Sequence, residues 1–311
     1  MRDYDYNYKS ESFNKKVEQF SELPIYEVFN VNLNKFNDNK TIFFEELCFL
    51  ISMSGNYSHS LLDGIGAYYQ LKKMYPDLIP IFIDEARKPA LKEYKSVALK
   101  EFAIKNNFQI IDLNKNNYFF KKIITHNYYF SPIPIESLQD EVIQENDDSR
   151  QIKFYQNSVK EVLKNINYKN TYSDKKIYIS RRFANYDRKH HKNKHIAQNF
   201  TYDERYDDIL ESFFSSVGFE ILELESYSFQ EQINIFSESN IVVSIEGTGL
   251  MNCIWMNKNS KIFNIKIYET FFPWEKIINQ DNDKIMITSN ISKLKIKDGI
   301  DNTISMFNEL F

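Results

Sequence analysis

Residues 218–257 constrain the fold of this chain more than any other stretch. Phe219 to Leu224 reads as a strand from its bulky apolar residues. Ser228 followed three residues later by Glu231 is a capping-box signature, and behind it Phe229, Ile233 and Phe236 fall on one helical face. Ile241 to Ile245 is a short β-branched run of the kind buried on both sides of a parallel sheet. Glu246-Gly-Thr-Gly249 follows at its carboxyl end, and Leu250 to Met256 reads as the start of a helix. Strand, helix, strand, glycine turn and helix make a parallel α/β unit. In such sheets ligands collect beyond the carboxyl ends of the strands. A glycine turn leading into a helix offers backbone N–H groups and the positive end of a dipole to an anion. The stretch therefore predicts a phosphate-bearing ligand near Gly247 to Leu250. The competing reading is that both glycines serve only a tight turn.

Length and composition set the frame for that unit. At 311 residues the chain has room for about two domains. Apolar residues at 42% with 16% aromatics supply a packed core and exclude global disorder. With 39 basic against 43 acidic residues the net charge is −4, so no broad basic field for nucleic acid exists. Cys48 and Cys253 sit in apolar runs and read as buried thiols, with neither a disulfide framework nor a zinc site implied. The polar N-terminus lacks a signal-peptide core, and no apolar run reaches the ~20 residues of a membrane span. These features predict a soluble, cytoplasmic protein without an integral membrane segment.

Taken in order, residues 1–20 read as a loose polar lead-in. Leu47 to Met53 is a strand candidate running into a segment that contains His59 and Asp63, with helical periodicity from Leu61 until Pro76 ends it. His59 and Asp63 are four apart and share a helical face, so they form a candidate acid–base pair. The bland alternative has His59 capping or packing while Asp63 is solvated. Strands are expected at Ile79 to Ile83 and Gln109 to Leu113, with a helix over Ala90 to Lys105 between them. Tyr118 to Phe130 is strand-like and holds His126, read as structural. Ile152 to Ile166 carries an apolar helical stripe, and the polar run Asn167 to Asp174 marks a domain boundary.

The second half opens with Lys176-Ile-Tyr-Ile-Ser-Arg-Arg182, a strand ending in two arginines. Arginine suits bidentate phosphate contact, and Arg181 and Arg182 would face the same rim as Glu246 to Gly249. Arg188 to His195 is a basic, histidine-rich loop, read as solvated first and as a phosphate-attracting flap second. Asp203 to Val217 forms an amphipathic helix stopped by Gly218, Lys261 to Ile267 another strand, and Asn302 to Phe311 a closing helix. Two Asp-x-Asp strings are weak metal candidates: no apolar strand precedes Asp3-Tyr4-Asp5, and Asp281-Asn282-Asp283 sits in a polar turn between Ile277-Ile278 and Ile285-Met286.

Together these blocks resemble the glycosyltransferase family 61 pattern. The similarity runs from Tyr178-Ile-Ser-Arg-Arg182 through Gly218-Phe-Glu220, Leu224-Glu225 and Ser228-Phe-Gln-Glu-Gln232 to Gly247-Thr-Gly-Leu-Met-Asn252. A weaker echo is Asn56-Tyr-Ser-His-Ser-Leu-Leu-Asp63. The resemblance implies an α/β fold of the GT-B kind, two Rossmann-like domains with mainly parallel sheets facing across a cleft. An acceptor-side domain over 1–167 and a donor-binding domain over 168–311 are expected, with the last helix free to pack back on the first domain.

The resemblance also implies inverting transfer from a nucleotide sugar to a glycan hydroxyl, with no obligatory cofactor or metal. Arg181, Arg182, Glu225, Gln232, Glu246, Gly247, Thr248, Gly249, Leu250 and Asn252 would form the donor site, and Asp63 or His59 would be the base. A non-catalytic glycan- or nucleotide-binding relative and a metal-dependent GT-A transferase are the other readings carried forward. The chain departs from the family's Gly-x-His-Gly-Ala-Gly at Ser244-Ile-Glu-Gly-Thr-Gly249, so that Glu246 replaces a histidine and is expected on a ribose or sugar hydroxyl. Asn257-Lys-Asn259 stands for a Pro-Pro-Gly, and Asn264 for a glutamate.

Overall fold

A computed structural model describes residues 7–12, 18–20, 23–34, 40–52, 57, 60–83, 99–112, 115–126, 148–168, 173–182, 203–267, 274–279, 283–291 and 296–310. The chain divides into two compact units, Met1–Ile166 and Asn167–Phe311.

The first unit is built on a seven-stranded sheet of β1 (Asn7–Ser12), β2 (Glu18–Phe20), β3 (Leu23–Asn34), β4 (Thr41–Ser52), β5 (Ile79–Ile83), β6 (Gln109–Ile111) and β7 (Asn117–His126). The order is β1-β3-β7-β4-β5-β6, with β2 also on β3. Strands β7, β4, β5 and β6 run parallel, whereas β1, β2 and β7 pair antiparallel with β3. The antiparallel flank corrects the expectation of a loose lead-in over residues 1–20. Its signal is present in residues 28–34, where Val28, Asn30, Asn32 and Asn34 alternate with Phe29, Val31 and Leu33. Such a period-2 pattern buries one face, and Val31 and Leu33 lie in the core with Phe44, Ile81 and Phe120.

After β4 the chain enters a π-helix, Ser60–Gly66, which becomes α1 (Ala67–Lys72). Both pack on α2 (Asp148–Asn165). Gly66 permits this contact, since a Cβ there would lie 2.6 Å from the Ser158 Cβ. Gln70 Nε2 then donates to Ser158 Oγ at 2.8 Å.

The second unit is a five-stranded, wholly parallel sheet in the order β12-β11-β10-β8-β9. Its strands are β8 (Lys175–Ile179), β9 (Glu220–Leu222), β10 (Ser239–Ile245), β11 (Lys261–Lys266) and β12 (Ile285–Asn290). Its helices are α3 (Arg205–Ser216), α4 (Phe229–Ser237), α5 (Trp274–Ile278) and α6 (Ile296–Leu310), with 3-10 turns at Leu224–Ser226 and Thr248–Trp255. Tyr178, Val243, Ile245, Phe263 and Ile265 pack under α3 and α6 through Leu210, Phe214, Ile300 and Phe307. The alternate residues Ile177, Ile179, Val242 and Ile262 are equally buried. Strands enclosed on both faces explain the unbroken β-branched runs in the sequence.

Local signals set the element ends. Gly218 has φ 88° and closes α3 in a Schellman motif. Its N–H donates to the Ser215 carbonyl at 3.1 Å, and the Phe219 N–H donates to the Phe214 carbonyl at 2.9 Å. The Phe214 and Phe219 rings, 5.3 Å apart, add the accompanying apolar contact. At α4 the capping box is complete: Glu231 N donates to Ser228 Oγ at 3.3 Å, and Ser228 N donates to Glu231 Oε2 at 2.7 Å. Two expectations are trimmed. The strand beginning at Phe219 ends at Leu222, and the segment after the glycine turn is 3-10 rather than α-helical.

Candidate functional site

The strand order of the second unit locates a crevice. The chain leaves β8 for β9 on one side, then returns across β8 to build β10, β11 and β12 on the other. Where the winding reverses, the connections leave β8 and β10 in opposite directions and open a gap at their carboxyl ends, the usual ligand position in such sheets. Ser180 to Arg182 leave β8 at this point, and Glu246 to Gly249 leave β10. Ile179 and Ser244 are paired in the register, so the two segments start level.

Arg181 closes the gap. Its Nη1 donates to the Glu246 carbonyl, and the side chain is almost enclosed at 6% exposure. A Cβ on Gly247 would fall inside the Arg181 guanidinium. Gly247 is extended, with φ 169°, so glycine is needed here for close approach and not for backbone conformation. The Leu250 N–H donates to the Gly247 carbonyl at 3.0 Å. The N–H groups of Thr248 and Gly249 precede that first intrahelical bond and have no partner within the turn. Both residues are half-buried at the rim. A guanidinium and two helix-terminal N–H groups at one strand end can hold a phosphate.

Arg182 is differently placed. Its Nη1 donates to Asp208 Oδ1 at 2.8 Å and its Nη2 to Glu211 Oε2 at 2.9 Å, both on α3. These bonds hold its proton more firmly than usual, Glu211 contributing most and Asp208 next. Ser180 Oγ donates to the other Glu211 oxygen at 2.7 Å. Beneath them Tyr178 is fully buried and stacks on Phe214 at 5.1 Å. Burial, and then Asp207 and Glu211, push its phenol well above the usual 10.0, against the opposing pull of Arg181 and Arg182.

In the first unit, Asp63 lies in the π-helix that follows β4 and is 5% exposed. Gly64 lets that helix sit on β4, since a Cβ there would lie 2.6 Å from Ile51 Cγ2. Asp63 is therefore an enclosed carboxylate held by a π-helical turn, a feature frequent at functional sites. His59 falls outside the described residues, as do Arg188 to His195, Asp3, Asp5, Asp281 and Asn282. Asp283 accepts from Lys284 Nζ at 2.9 Å. Among the described residues no three His, Cys, Asp or Glu side chains cluster as metal ligands.

With this geometry in view, the family model Glycosyltransferase 61 matches residues 43–263, from β4 to β11, and so takes in Asp63, Arg181 and the glycine turn. The chain belongs to glycosyltransferase family 61. It is a glycosyltransferase, and as such takes a donor and an acceptor. No curated protein matches it.

Within this family 61 transferase the remaining motif residues divide between rim and core. The Glu246 N–H donates to the Ile265 carbonyl at 2.8 Å while its carbonyl receives Arg181, so its backbone ties β10 to β11 and to the β8 exit. Its side chain is 3% exposed. Glu225 lies half-buried in the 3-10 turn after β9. Gln232 and Asn252 are interior. Gln232 Nε2 donates to the carbonyls of Leu224 and Tyr227 at 2.9 and 3.0 Å, and its Oε1 accepts from Asn252 Nδ2 at 3.0 Å. The pair fixes the rim turn after β9 from below. Leu250 is fully buried.

The family's Pro-Pro-Gly position also has a local explanation. Asn259 adopts φ 67°, a left-handed conformation that asparagine tolerates best after glycine. Asn264, on β11, is buried, and its Oδ1 has no hydrogen bond among the described residues. The residues that sequence reasoning missed are Ser180, Asp208 and Glu211, which gather around Arg182. Asp208 and Glu211 are three apart on α3, and that spacing was the available signal.

Proposed function

We propose that this glycosyltransferase is inverting and metal-independent, and moves a sugar from a nucleotide-sugar donor to a hydroxyl of a glycan acceptor. The observation that carries the reading is the Arg181 guanidinium lying across Gly247 at the β8–β10 crevice. Arg181 and the N–H groups of Thr248 and Gly249 are assigned to the donor diphosphate, and the Glu246 carboxylate to a ribose or sugar hydroxyl. Arg182, Gln232 and Asn252 hold this rim in shape. Asp63 is assigned as the base, with His59 the alternative, and the GT-B architecture is part of the same reading.

In the reaction, Asp63 takes the proton of the acceptor hydroxyl as its oxygen attacks the anomeric carbon. The bond from that carbon to the diphosphate oxygen breaks, and configuration inverts. Negative charge grows on the departing nucleoside diphosphate, where a preorganised guanidinium and backbone N–H groups stabilise it. The test is sugar transfer and donor hydrolysis in excess EDTA. Native protein is expected to turn over, whereas Asp63→Asn is expected to bind donor and lose at least ~100-fold in rate. Loss of turnover with EDTA would favour a metal-dependent GT-A mechanism. Donor binding without turnover in the native chain would favour a non-catalytic binder.

A further inference from the structure

We infer that Glu211 is a positioning residue for Arg181, and through it for the donor diphosphate; the inference rests on the donor-site reading above. β8 ends at Ile179, and Ser180 to Arg182 carry the chain beyond it toward α3 and β10. Tyr178 and Ser180 face α3, as does the Arg182 guanidinium, whereas the Arg181 guanidinium lies against Gly247 and donates to the Glu246 carbonyl. Ser180 and Arg182 flank Arg181, so holding them holds the backbone from which Arg181 projects.

Glu211 does this with both carboxylate oxygens. Oε1 accepts from Ser180 Oγ at 2.7 Å and Oε2 from Arg182 Nη2 at 2.9 Å, so one side chain grips the residues on either side of Arg181. Two further bonds stiffen the segment: Ser180 N donates to the Leu222 carbonyl at 2.8 Å, and Arg182 N to Ser180 Oγ at 3.3 Å. Asp208 takes the second arm of Arg182, but its side chain is 63% exposed against 17% for Glu211. An enclosed, doubly bonded carboxylate costs more to disturb than a solvated one. Glu211 and Asp208 also occupy Arg182.

The sign of one change separates this role from bulk electrostatics. Removing a carboxylate near an anion site raises anion affinity if only charge matters. A positioning role predicts the reverse.

The experiment measures inorganic pyrophosphate affinity by calorimetry in EDTA for native protein, Glu211→Gln, Arg181→Lys and the double variant. Glu211→Gln is expected to weaken binding roughly fivefold, and to have no effect in the Arg181→Lys background, where the oriented fork is absent. Ser180→Ala, which leaves all charges in place, is expected to weaken binding roughly twofold and serves as the test should Glu211→Gln not fold. Tighter or unchanged pyrophosphate binding in Glu211→Gln, or an equal loss in both backgrounds, overturns the positioning role and leaves the donor site standing. Absence of pyrophosphate binding to native protein overturns the donor-site reading, and this inference with it.

Discussion

At the scale of single residues, the site turns on how closely the Arg181 side chain approaches the backbone of Gly247. Gly247 has no room for a Cβ because the Arg181 guanidinium fills that space. Gly247→Ala should therefore displace Arg181, cost about 1–3 kcal/mol of stability through overpacking, and abolish diphosphate binding. Denaturant unfolding and ligand titration of the same sample check both outcomes. Asn259 gives a contrasting case, since its φ of 67° and not its packing limits what can stand there. Asn259→Ala should lose about 1 kcal/mol, and Asn259→Gly should be neutral or stabilising. The two glycines of the rim were visible in the sequence, and so were the two arginines. Their different duties were not, because Arg181 and Arg182 are adjacent and identical in type. Only the folded chain shows that α3 supplies two carboxylates to Arg182 while Arg181 reaches the Glu246 carbonyl.

At the scale of elements, caps and buried faces decide stability, and here the sequence was most legible. The Ser228–Glu231 box at α4 and the stop at Gly218 are local and involve few residues, so type and spacing sufficed to find them. Ser228→Ala should cost about 1 kcal/mol. Hydrogen bonds from the Ser228 side chain and backbone hold the Glu231 carboxyl below its usual 4.5. A depressed carboxyl adds stability above its unfolded value and loses it as pH falls through the folded one. The acid limb of the stability profile below about pH 4.5 should therefore flatten in Glu231→Gln. Other elements escaped the sequence for physical reasons. The antiparallel β1 is almost wholly polar, and β3 carries Pro24 and three asparagines among its apolar residues, although Val31 and Leu33 alternate correctly. The π-helix at Ser60–Gly66 closes its hydrogen bonds one residue further along than an α-helix, and all seven of its residues are buried, so no apolar stripe marks the difference. The order β12-β11-β10-β8-β9 depends on which strands meet, and no local pattern encodes it. Asp208 and Glu211 sit on the polar side of an amphipathic helix, where carboxylates are ordinarily solvated.

At the scale of the whole molecule, two sheets carry the chain, and each unit holds one buried thiol. Cys48 and Cys253 are both fully buried. Burial first, then the Glu46 carboxylate, pushes the Cys48 thiol from 9.0 up to about 12, and burial raises Cys253 despite the opposing Lys284. Protonated thiols in the native state and free thiolates in the unfolded one mean stability that is intact below about pH 9 and falls as pH rises toward 12. Native protein should resist thiol-labelling reagents and react at both cysteines on unfolding. The proposed function assigns the diphosphate of a nucleotide sugar, held without metal, to the β8–β10 crevice of the second sheet. The most direct measurement is a thermal-shift titration of nucleoside diphosphates and nucleotide sugars in excess EDTA, for native protein and Arg181→Ala. A ligand that binds only the folded state raises its melting temperature by mass action. The account predicts saturable stabilisation by one nucleotide family, lost in Arg181→Ala. Stabilisation that appears only with added divalent cation, or that survives in Arg181→Ala, would contradict it.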